Sequence, residues 1–557
     1  MNNSSLFFLK VFNTNNSYEI EYSPSYKFKN DMVNYQDESF TLILDGVVLN
    51  KKELLSKSSN MDWASYLLQS YIKNGDTFFD KLRGSFYGCL IDKKKNKIIV
   101  FADHISSKRF YYTNQKDSVL FSNNYGHLLK RIKDFGGTTS LNIKASYLLL
   151  TYGYTFEDIT ITNEIKRLMV GQYALIQDGI LKLLTFFTLR NTPIRISENE
   201  AIEEIDFRFR EAIKLAFNKD KEYGYKHIAA LSGGLDSRMT VWVAHELGYT
   251  DQLNITFSQS NYLDETIPKQ IAAELKHEWL FKALDNGLFL MDIDEVSKLT
   301  GGNVLYYGIA HGVSLYKYLN FENLGLIHSG QLGDVVIGSF NINKNTNEKY
   351  KIGDGAYSKK ILHTIKDIYF KVDYPNVEIF KMYIRGFYGA NQGLVGVTDY
   401  SETYSPFYDV DFMSFALSIP VELRINHYLY KKWIIEKYPN AAKYIWEKEK
   451  VPVNYKYMLK IRNKNIPLNQ IGKKFLNRLG ANLYGSDSKN YMNPLNYYNR
   501  TNTSLKAYMD DYFDKNINNI HFSSLRNECV NLYKNALTLE KIQVLSLLSA
   551  IKVNELQ

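Results

Sequence analysis

One loop pattern combines the residue types needed to hold the phosphates of a nucleotide. The apolar run His227–Leu231 is followed by the loop Ser232–Ser237, with the sequence SGGLDS, and then by a helical pattern. Glycines allow backbone N–H groups to approach an anion closely, and a helix N-terminus adds unpaired donors and partial positive charge. Because a carboxylate repels phosphate, Asp236 in this loop implies a Mg²⁺ ion between the two groups. The pattern predicts a site for Mg·ATP.

A plain strand-to-helix turn with Asp236 as its N-cap is the competing interpretation. A lone Gly-Gly pair would favour that turn, but the full six-residue pattern favours nucleotide binding. The chain has no G-x-x-x-x-G-K-[ST] sequence, so the loop is not of the Walker type.

The elements around this loop predict an α/β fold. Apolar runs alternate with helical segments from the loop onward, which indicates a parallel sheet with crossover helices; Leu324–Gly330 is a further candidate for a buried strand. The preceding part of the chain is strand-rich, with hairpin turns at Asp92–Lys97 and Asp178-Gly179. A linker is expected at Arg190–Ala201. The C-terminal third is mostly helical and basic.

The composition is that of a globular protein and excludes sites built from cysteines. The 557 residues suffice for two or three domains, and 45% hydrophobic with 23% charged residues is typical of a globular protein. A net charge of +9 over this length permits an anionic partner but does not require one. The chain has 2 cysteines, too few for a cysteine-based metal site or a disulfide framework. We expect a cytoplasmic protein with no signal peptide and no membrane span.

The SGGLDS loop resembles that of the PP-loop, or N-type, ATP pyrophosphatases, which cleave ATP between its α and β phosphates. A second stretch, Ser329–Asp334 ahead of Gly338, is similar to a pattern of the asparagine synthetase family within that group. The resemblance implies that Asp236 and Asp334 are the Mg²⁺ ligands. It also implies a set of nucleotide-binding residues: Leu231, Ser232, Gly233, Gly234, Asp236, Ser237, Ser329 and Gly330.

Two further stretches resemble catalytic segments of the same family. Glu402–Pro420 is similar to a segment whose glutamate takes part in deprotonating the nucleophile in β-lactam synthetase, which implies that role for Glu402. Asp409 in this segment is expected to cap the next helix. In WEKEKVPV, Lys448 has the family's spacing to Val451 and is expected to stabilise charge on the departing pyrophosphate, with Lys450 as the alternative.

The first part of the chain resembles the glutaminase half of the family. The stretch LRGSFYGCLIDKKKNKIIVFADHISSKRFYY carries most of this similarity. The expected fold is an Ntn-hydrolase-like αββα sandwich over residues 1–195. It is followed over residues 200–557 by an adenine-nucleotide α-hydrolase-like (PP-loop) parallel-sheet domain with a helical C-terminal part.

The glutaminase nucleophile of that family is missing from this sequence. It is a cysteine exposed as the first residue once Met is removed, whereas this chain begins Met1-Asn2-Asn3. We therefore expect an inactive glutaminase, as in β-lactam synthetase and the lasso-peptide cyclases, where an amine of the substrate attacks an acyl-adenylate. Gln331 stands where β-lactam synthetase has a tyrosine, which weakens the assignment of Glu402.

These features predict an AMP-forming amide ligase that uses ATP and Mg²⁺, with macrolactam closure of a lasso peptide as one candidate reaction. The alternatives are amidation of a small acid or sugar acid with external ammonia, a non-catalytic nucleotide-binding scaffold and, with least support, a tRNA-modifying enzyme. The expected partners are ATP and a carboxylate substrate, either a peptide or a small acid, with an amine acceptor. Neither a membrane nor a nucleic acid is expected, and the sequence leaves an oligomer open.

Overall fold

The computed structural model describes residues 3–14, 17–58, 61–341, 348–461, 464–468, 471 and 487–556. Asn2 lies outside them.

Two antiparallel sheets form the first part of the chain. A 5-stranded sheet has the order β2-β1-β8-β7-β9 and a 6-stranded sheet the order β11-β10-β6-β5-β4-β3. The strands are β1 Leu6–Phe12, β2 Tyr18–Ser23, β3 Val33–Gln36, β4 Phe40–Val48, β5 Gly84–Asp92, β6 Lys97–Ala102, β7 Tyr111–Asn114, β8 Ser118–Ser122, β9 Lys166–Arg167, β10 Gln172–Gln177 and β11 Ile180–Thr185. Both expected hairpin turns are present, between β5 and β6 and between β10 and β11.

Helices cover the outer faces of these two sheets. Because side chains alternate along each strand, apolar residues fill one layer between the sheets and one layer between each sheet and its helices. In β1, Phe7 and Leu9 point into the layer between the sheets, while Phe8 points outward to helices. The helices are α1 Lys51–Ser56 and α2 Trp63–Asn74 on the 6-stranded sheet, and α3 Tyr125–Asp134 and α4 Ile143–Thr151 on the other. This arrangement is the predicted αββα sandwich.

A 5-stranded parallel sheet forms the centre of the second part, in the order β14-β13-β12-β15-β16. Its strands are β12 Lys226–Ala230, β13 Gln252–Ser258, β14 Glu278–Ala283, β15 Leu324–His328 and β16 Thr403–Tyr404. The surrounding helices include α5 Glu198–Tyr223, α6 Leu235–Glu246, α7 Leu263–Leu275, α8 Ile293–Thr300 and α9 Tyr307–Tyr316. The predicted parallel sheet with crossover helices is confirmed.

Helices dominate the remainder of the chain, as the sequence predicts. They are α10 Val377–Lys381, α11 Val410–Ser418, α12 Val421–Arg424, α13 Tyr428–Lys437, α14 Pro439–Ala442, α15 Leu495–Thr501, α16 Thr503–Asn516, α17 Ser523–Asn535 and α18 Thr538–Asn554. Short antiparallel pairs join β17 Ile445–Trp446 to β18 Val451–Pro452 and β19 Met458–Ile461 to β20 Lys464–Pro467. None of the described helices combines the length and apolarity that crossing a bilayer requires.

Buried polar contacts join the sandwich to the part that carries the parallel sheet. Lys219 on α5 lies 3.1 Å from Asp31, and both side chains are fully buried. Gln543 of α18 donates to the carbonyl of Thr151 at the end of α4, at 3.3 Å. Charges buried in this way are tolerated because each has a partner of opposite sign. The exact domain bounds of 195 and 200 remain predictions.

Candidate functional site

The SGGLDS loop lies between β12 and α6, at the carboxyl edge of the parallel sheet. The helix begins at Leu235, two residues earlier than the loop's last serine, so Asp236 sits in its first turn and Gly234 is the N-cap. The alternative of Asp236 as an N-cap is therefore wrong. Leu231, the residue after β12, continues the pairing with β13 by donating its backbone N–H to the carbonyl of Ile255 at 2.9 Å.

Three backbone donors of the loop are already used within the protein. Ser237 Oγ accepts from the N–H of Ser232 at 2.9 Å, Ser232 Oγ accepts from that of Gly234 at 3.2 Å, and Asp264 Oδ1 accepts from that of Gly233 at 2.7 Å. These bonds fix the loop's shape. The donors best placed for an anion are consequently the first N–H groups of α6, which an α-helix leaves unpaired.

The second loop, after β15, packs directly against the start of α6. A Cβ atom at Gly330 would overlap the backbone nitrogen of Ser237, and one at Gly333 would lie 2.7 Å from Asp236 Cγ. Glycine at these two positions therefore lets the loops touch. The backbone N–H of Ser329 donates to the carbonyl of Tyr404 at 2.9 Å. The hydroxyl of Ser329 accepts a hydrogen bond from the backbone N–H of Gln331 at 3.1 Å.

This packing brings the two sequence-predicted carboxylates together. The backbone N–H of Asp334 donates to the carboxylate of Asp236, and the hydroxyl of Tyr430 donates to Asp236 Oδ1 at 2.8 Å. Burial, followed by the negative charge of Asp334, raises the pKa of Asp236 well above its ordinary value. Both hydrogen-bond donors to Asp236 are neutral. Within the described part of the chain, Asp236 thus has no cationic hydrogen-bond donor, and a divalent cation would supply that positive charge.

Two basic side chains reach the outer face of Asp334. Lys448 Nζ lies 3.7 Å and His427 Nε2 3.5 Å from Asp334 Oδ2, and the two nitrogens are 3.2 Å apart. Although burial opposes ionisation, His427 and Lys448 hold the pKa of Asp334 below its ordinary value. Lys450, the alternative to Lys448, bonds instead to Tyr262 and Glu447, at 2.7 and 2.9 Å.

Sequence reasoning missed several residues of this site. Tyr430 and His427 come from α13 and the turn before it, and Asp264 from the first turn of α7. No motif marks them, because each acts through a long-range contact that only the fold creates. Arg238 is a further example: it is fully buried and ties the loop to the segment around Lys448 by donating to the carbonyls of Gly233 and Ala441, at 3.2 and 3.1 Å.

Glu402 directly precedes β16 and contacts the sandwich. It is 1% exposed and pairs with Lys108 of the sandwich, Nζ to Oε1 2.7 Å. It lines a small cavity of about 40 Å³ together with residues of the sandwich, including Ser85 and Asp103. Its role in the chemistry stays a prediction. Asp409 in the same segment caps α11 as expected, by accepting the N–H of Phe412 at 3.2 Å.

A large cavity opens at the carboxyl edge of the sheet. Its volume is about 750 Å³, and its lining includes Ala230 at the end of β12, Phe257 of β13 and Ser329 after β15. We call this cavity the chamber. Aromatic side chains from several elements line it: Tyr154, Phe257, Tyr307, Tyr316, Tyr357 and Tyr491.

Neither cysteine is placed to act as a glutaminase nucleophile. Cys89 lies in the layer between the two antiparallel sheets and Cys529 in a helical core, and burial raises the pKa of both thiols. Asn3 is buried, and its side-chain oxygen accepts the backbone N–H groups of Tyr26 and Lys27 at 3.1 and 2.9 Å. The carboxamide is therefore held in structural bonds.

Comparison with known proteins identifies the first part of the chain. Residues 29–187, which form most of the αββα sandwich, match the model of the glutamine amidotransferase domain. A stretch of 94 residues is 31% identical to the glutamine-hydrolysing asparagine synthetase 3 of Bacillus subtilis (strain 168), covering 16% of this chain and 15% of that protein. Together, these two matches show a likeness to glutamine amidotransferases and to one asparagine synthetase over limited stretches of the chain.

Solved structures overlap with the chain only loosely. The glutamine phosphoribosylpyrophosphate amidotransferase of B. subtilis, complexed with ADP and GMP, gives a TM-score of 0.24 at 8% identity, over 51% of this chain and 86% of that one. NMN synthetase from Francisella tularensis gives a TM-score of 0.19 at 16% identity, over 26% of this chain and 59% of that one.

Proposed function

We propose that this protein is an ATP-dependent ligase that activates a substrate carboxylate as its adenylate, releasing pyrophosphate, and lets an amine displace AMP. The observation that carries the proposal is the meeting of Asp236 and Asp334, from two separate loops, at the start of a helix beside a large chamber. Two carboxylates held together repel each other, so their meeting at an anion-binding helix end supports a cation-assisted phosphate site.

In this proposal, different residues hold the metal ion and the phosphates of ATP. Asp236 and Asp334 would hold Mg²⁺, which when bound would neutralise charge on the pyrophosphate. The free N–H groups at the start of α6 would hold phosphate oxygens. Lys448, which is 54% exposed beside Asp334, can turn its ammonium group to a phosphate as negative charge moves to the leaving group. His427 keeps that ammonium group close to the carboxylate.

We further propose that the sandwich hydrolyses no glutamine. Both cysteines are buried in cores, and Asn3 is held by backbone donors. The amine must then come from ammonia in solution or from the substrate itself. An amine on the same molecule as the adenylate has the entropic advantage of an intramolecular reaction.

Pyrophosphate release from ATP tests the proposal. With a panel of carboxylate and amine substrates, we expect AMP and pyrophosphate, with no glutamate when glutamine is added. Asp236→Asn should lower the rate by about 10² to 10³, the loss usual when charge stabilisation is removed from a transition state. In the absence of Mg²⁺ the same variant should be more stable than the natural protein, because it relieves the repulsion with Asp334.

Asp251→Asn serves as the matched control, because Asp251 is 78% exposed and pairs with Lys226 on the surface. It should leave both activity and stability unchanged. Formation of ADP, or equal rates in the Asp236 and Asp251 variants, would refute the ligase proposal.

A further inference from the structure

The lining of the chamber carries information about the substrate. Six aromatic residues face a volume of about 750 Å³, which suits a ligand much larger than a simple amino acid. None of the described lining residues is Lys or Arg. Burial lowers the pKa of His311, the one histidine among them, to about 4, so this imidazole is neutral at pH 7. A small dicarboxylic acid would find no cation there for its second carboxylate.

One acidic side chain stands out in this apolar wall. Glu540, in the first turn of α18, is 6% exposed and is the single carboxylate among the described lining residues. Its Oε1 accepts the hydroxyl of Ser358 at 3.0 Å and lies 4.0 Å from Lys360 Nζ. Its Oε2 is buried and has no hydrogen-bond partner within the described part of the chain. A buried carboxylate oxygen without a donor is costly, and a ligand ammonium group would satisfy it.

We propose that the chamber binds a peptide-like substrate, with aromatic or apolar side chains against its wall and an ammonium group on Glu540. This inference rests on the proposed function and names its substrate class. The aromatic faces supply area for apolar and aromatic groups. The negative charge of Glu540 favours a ligand with a free, protonated amine over one whose amine is acylated. Ser329 and Gln331 also line the chamber, so the bound molecule lies beside the loop that carries Asp334.

Binding of two probe peptides to the full chain tests the charge. L-phenylalanyl-L-phenylalanine carries a free ammonium group, and its N-acetyl derivative does not. By isothermal titration we expect the free dipeptide to bind at least tenfold more tightly than the acetylated one, and L-aspartate to bind more weakly than either. Glu540→Gln should remove the difference between the dipeptides. Glu528→Gln, which alters a glutamate paired with His363 on the surface, should keep it.

A second variant tests the volume without touching the charge. A Cβ atom at Gly308, a lining residue on α9, would have no heavy atom within 4 Å. Gly308→Leu therefore introduces its Cβ atom without a clash and adds apolar volume on this wall of the chamber. We expect it to weaken binding of both dipeptides at least tenfold and to leave ATP binding unchanged.

The outcomes separate this inference from the ligase proposal. Equal binding of free and acetylated dipeptides to the natural protein, failure of both to bind, or preferential binding of aspartate would overturn the inference. Pyrophosphate release with a small acid would at the same time leave the ligase proposal standing. Selective dipeptide binding without any pyrophosphate release would support the inference about the chamber and contradict the ligase proposal.

Discussion

Asp264 places a negative charge on the first glycine of the nucleotide loop. Burial, with the nearby charge of Glu447, raises the pKa of Asp264 to about 6 from an ordinary value of 3.8. Between these pH values the folded chain holds a proton that the unfolded chain has lost. The corresponding stabilisation is complete below pH 4 and disappears as the pH rises through 6, a change of about 3 kcal/mol.

Asp264→Asn should therefore raise the free energy of unfolding at pH 7 by up to about 3 kcal/mol and change it little at pH 4. The side-chain oxygen of asparagine can still accept the Gly233 N–H, which is why we expect the loop to keep its shape. Urea unfolding at the two pH values measures this, with Asp251→Asn as a surface control. Equal destabilisation at both pH values would contradict it.

The close approach of two loops depends on a single missing side chain. A Cβ atom at Gly330 would meet the backbone of Asp236 and Ser237, which cannot move without shifting α6. Gly330→Ala should lower the free energy of unfolding by about 1 to 3 kcal/mol, the usual cost of overpacking, and should separate Asp236 from Asp334. We expect pyrophosphate release to fall more than tenfold.

Gly126→Ala, in α3 and outside the chamber, is the matched control for that change. The nearest heavy atom to the added methyl group is Asn124 Oδ1 at 3.6 Å, an ordinary contact, and alanine favours a helix over glycine by about 1 kcal/mol. This variant should be as stable as the natural protein or more so, and as active. Full activity in Gly330→Ala would show that the contact between the two loops is not needed.

The sequence predicts the elements of this molecule better than its contacts. Strand alternation, the turn at Asp178-Gly179 and the SGGLDS loop are local patterns, and each appears in the structure where expected. The proximity of Asp236 and Asp334 was predictable only through resemblance, since they lie on different loops. Tyr430 and His427 carry no local signal, because they reach the carboxylates across the fold. The pairing of Glu402 with the sandwich is equally invisible in the sequence.

At the scale of the whole molecule, one ion pair joins the sandwich to the parallel sheet. It is formed by Lys108 of the sandwich and Glu402, the residue just before β16. Their side chains are 11% and 2% exposed, and Asp45 Oδ1 lies 3.9 Å from the same ammonium group. Lys108→Met leaves the charge of Glu402 buried without its partner. It should lower the free energy of unfolding by about 3 to 5 kcal/mol.

The double variant Lys108→Met with Glu402→Leu removes both charges, and we expect it to recover most of that loss, because uncharged side chains of similar size replace a buried pair at little cost. Urea unfolding measures the recovery, and pyrophosphate release measured on the same samples shows what Glu402 does. If its pairing with Lys108 is its main role, the double variant keeps a rate within about fivefold of the natural protein. A stable but inactive double variant would instead support Glu402 as the group that deprotonates the attacking amine, in line with its position in the sequence motif.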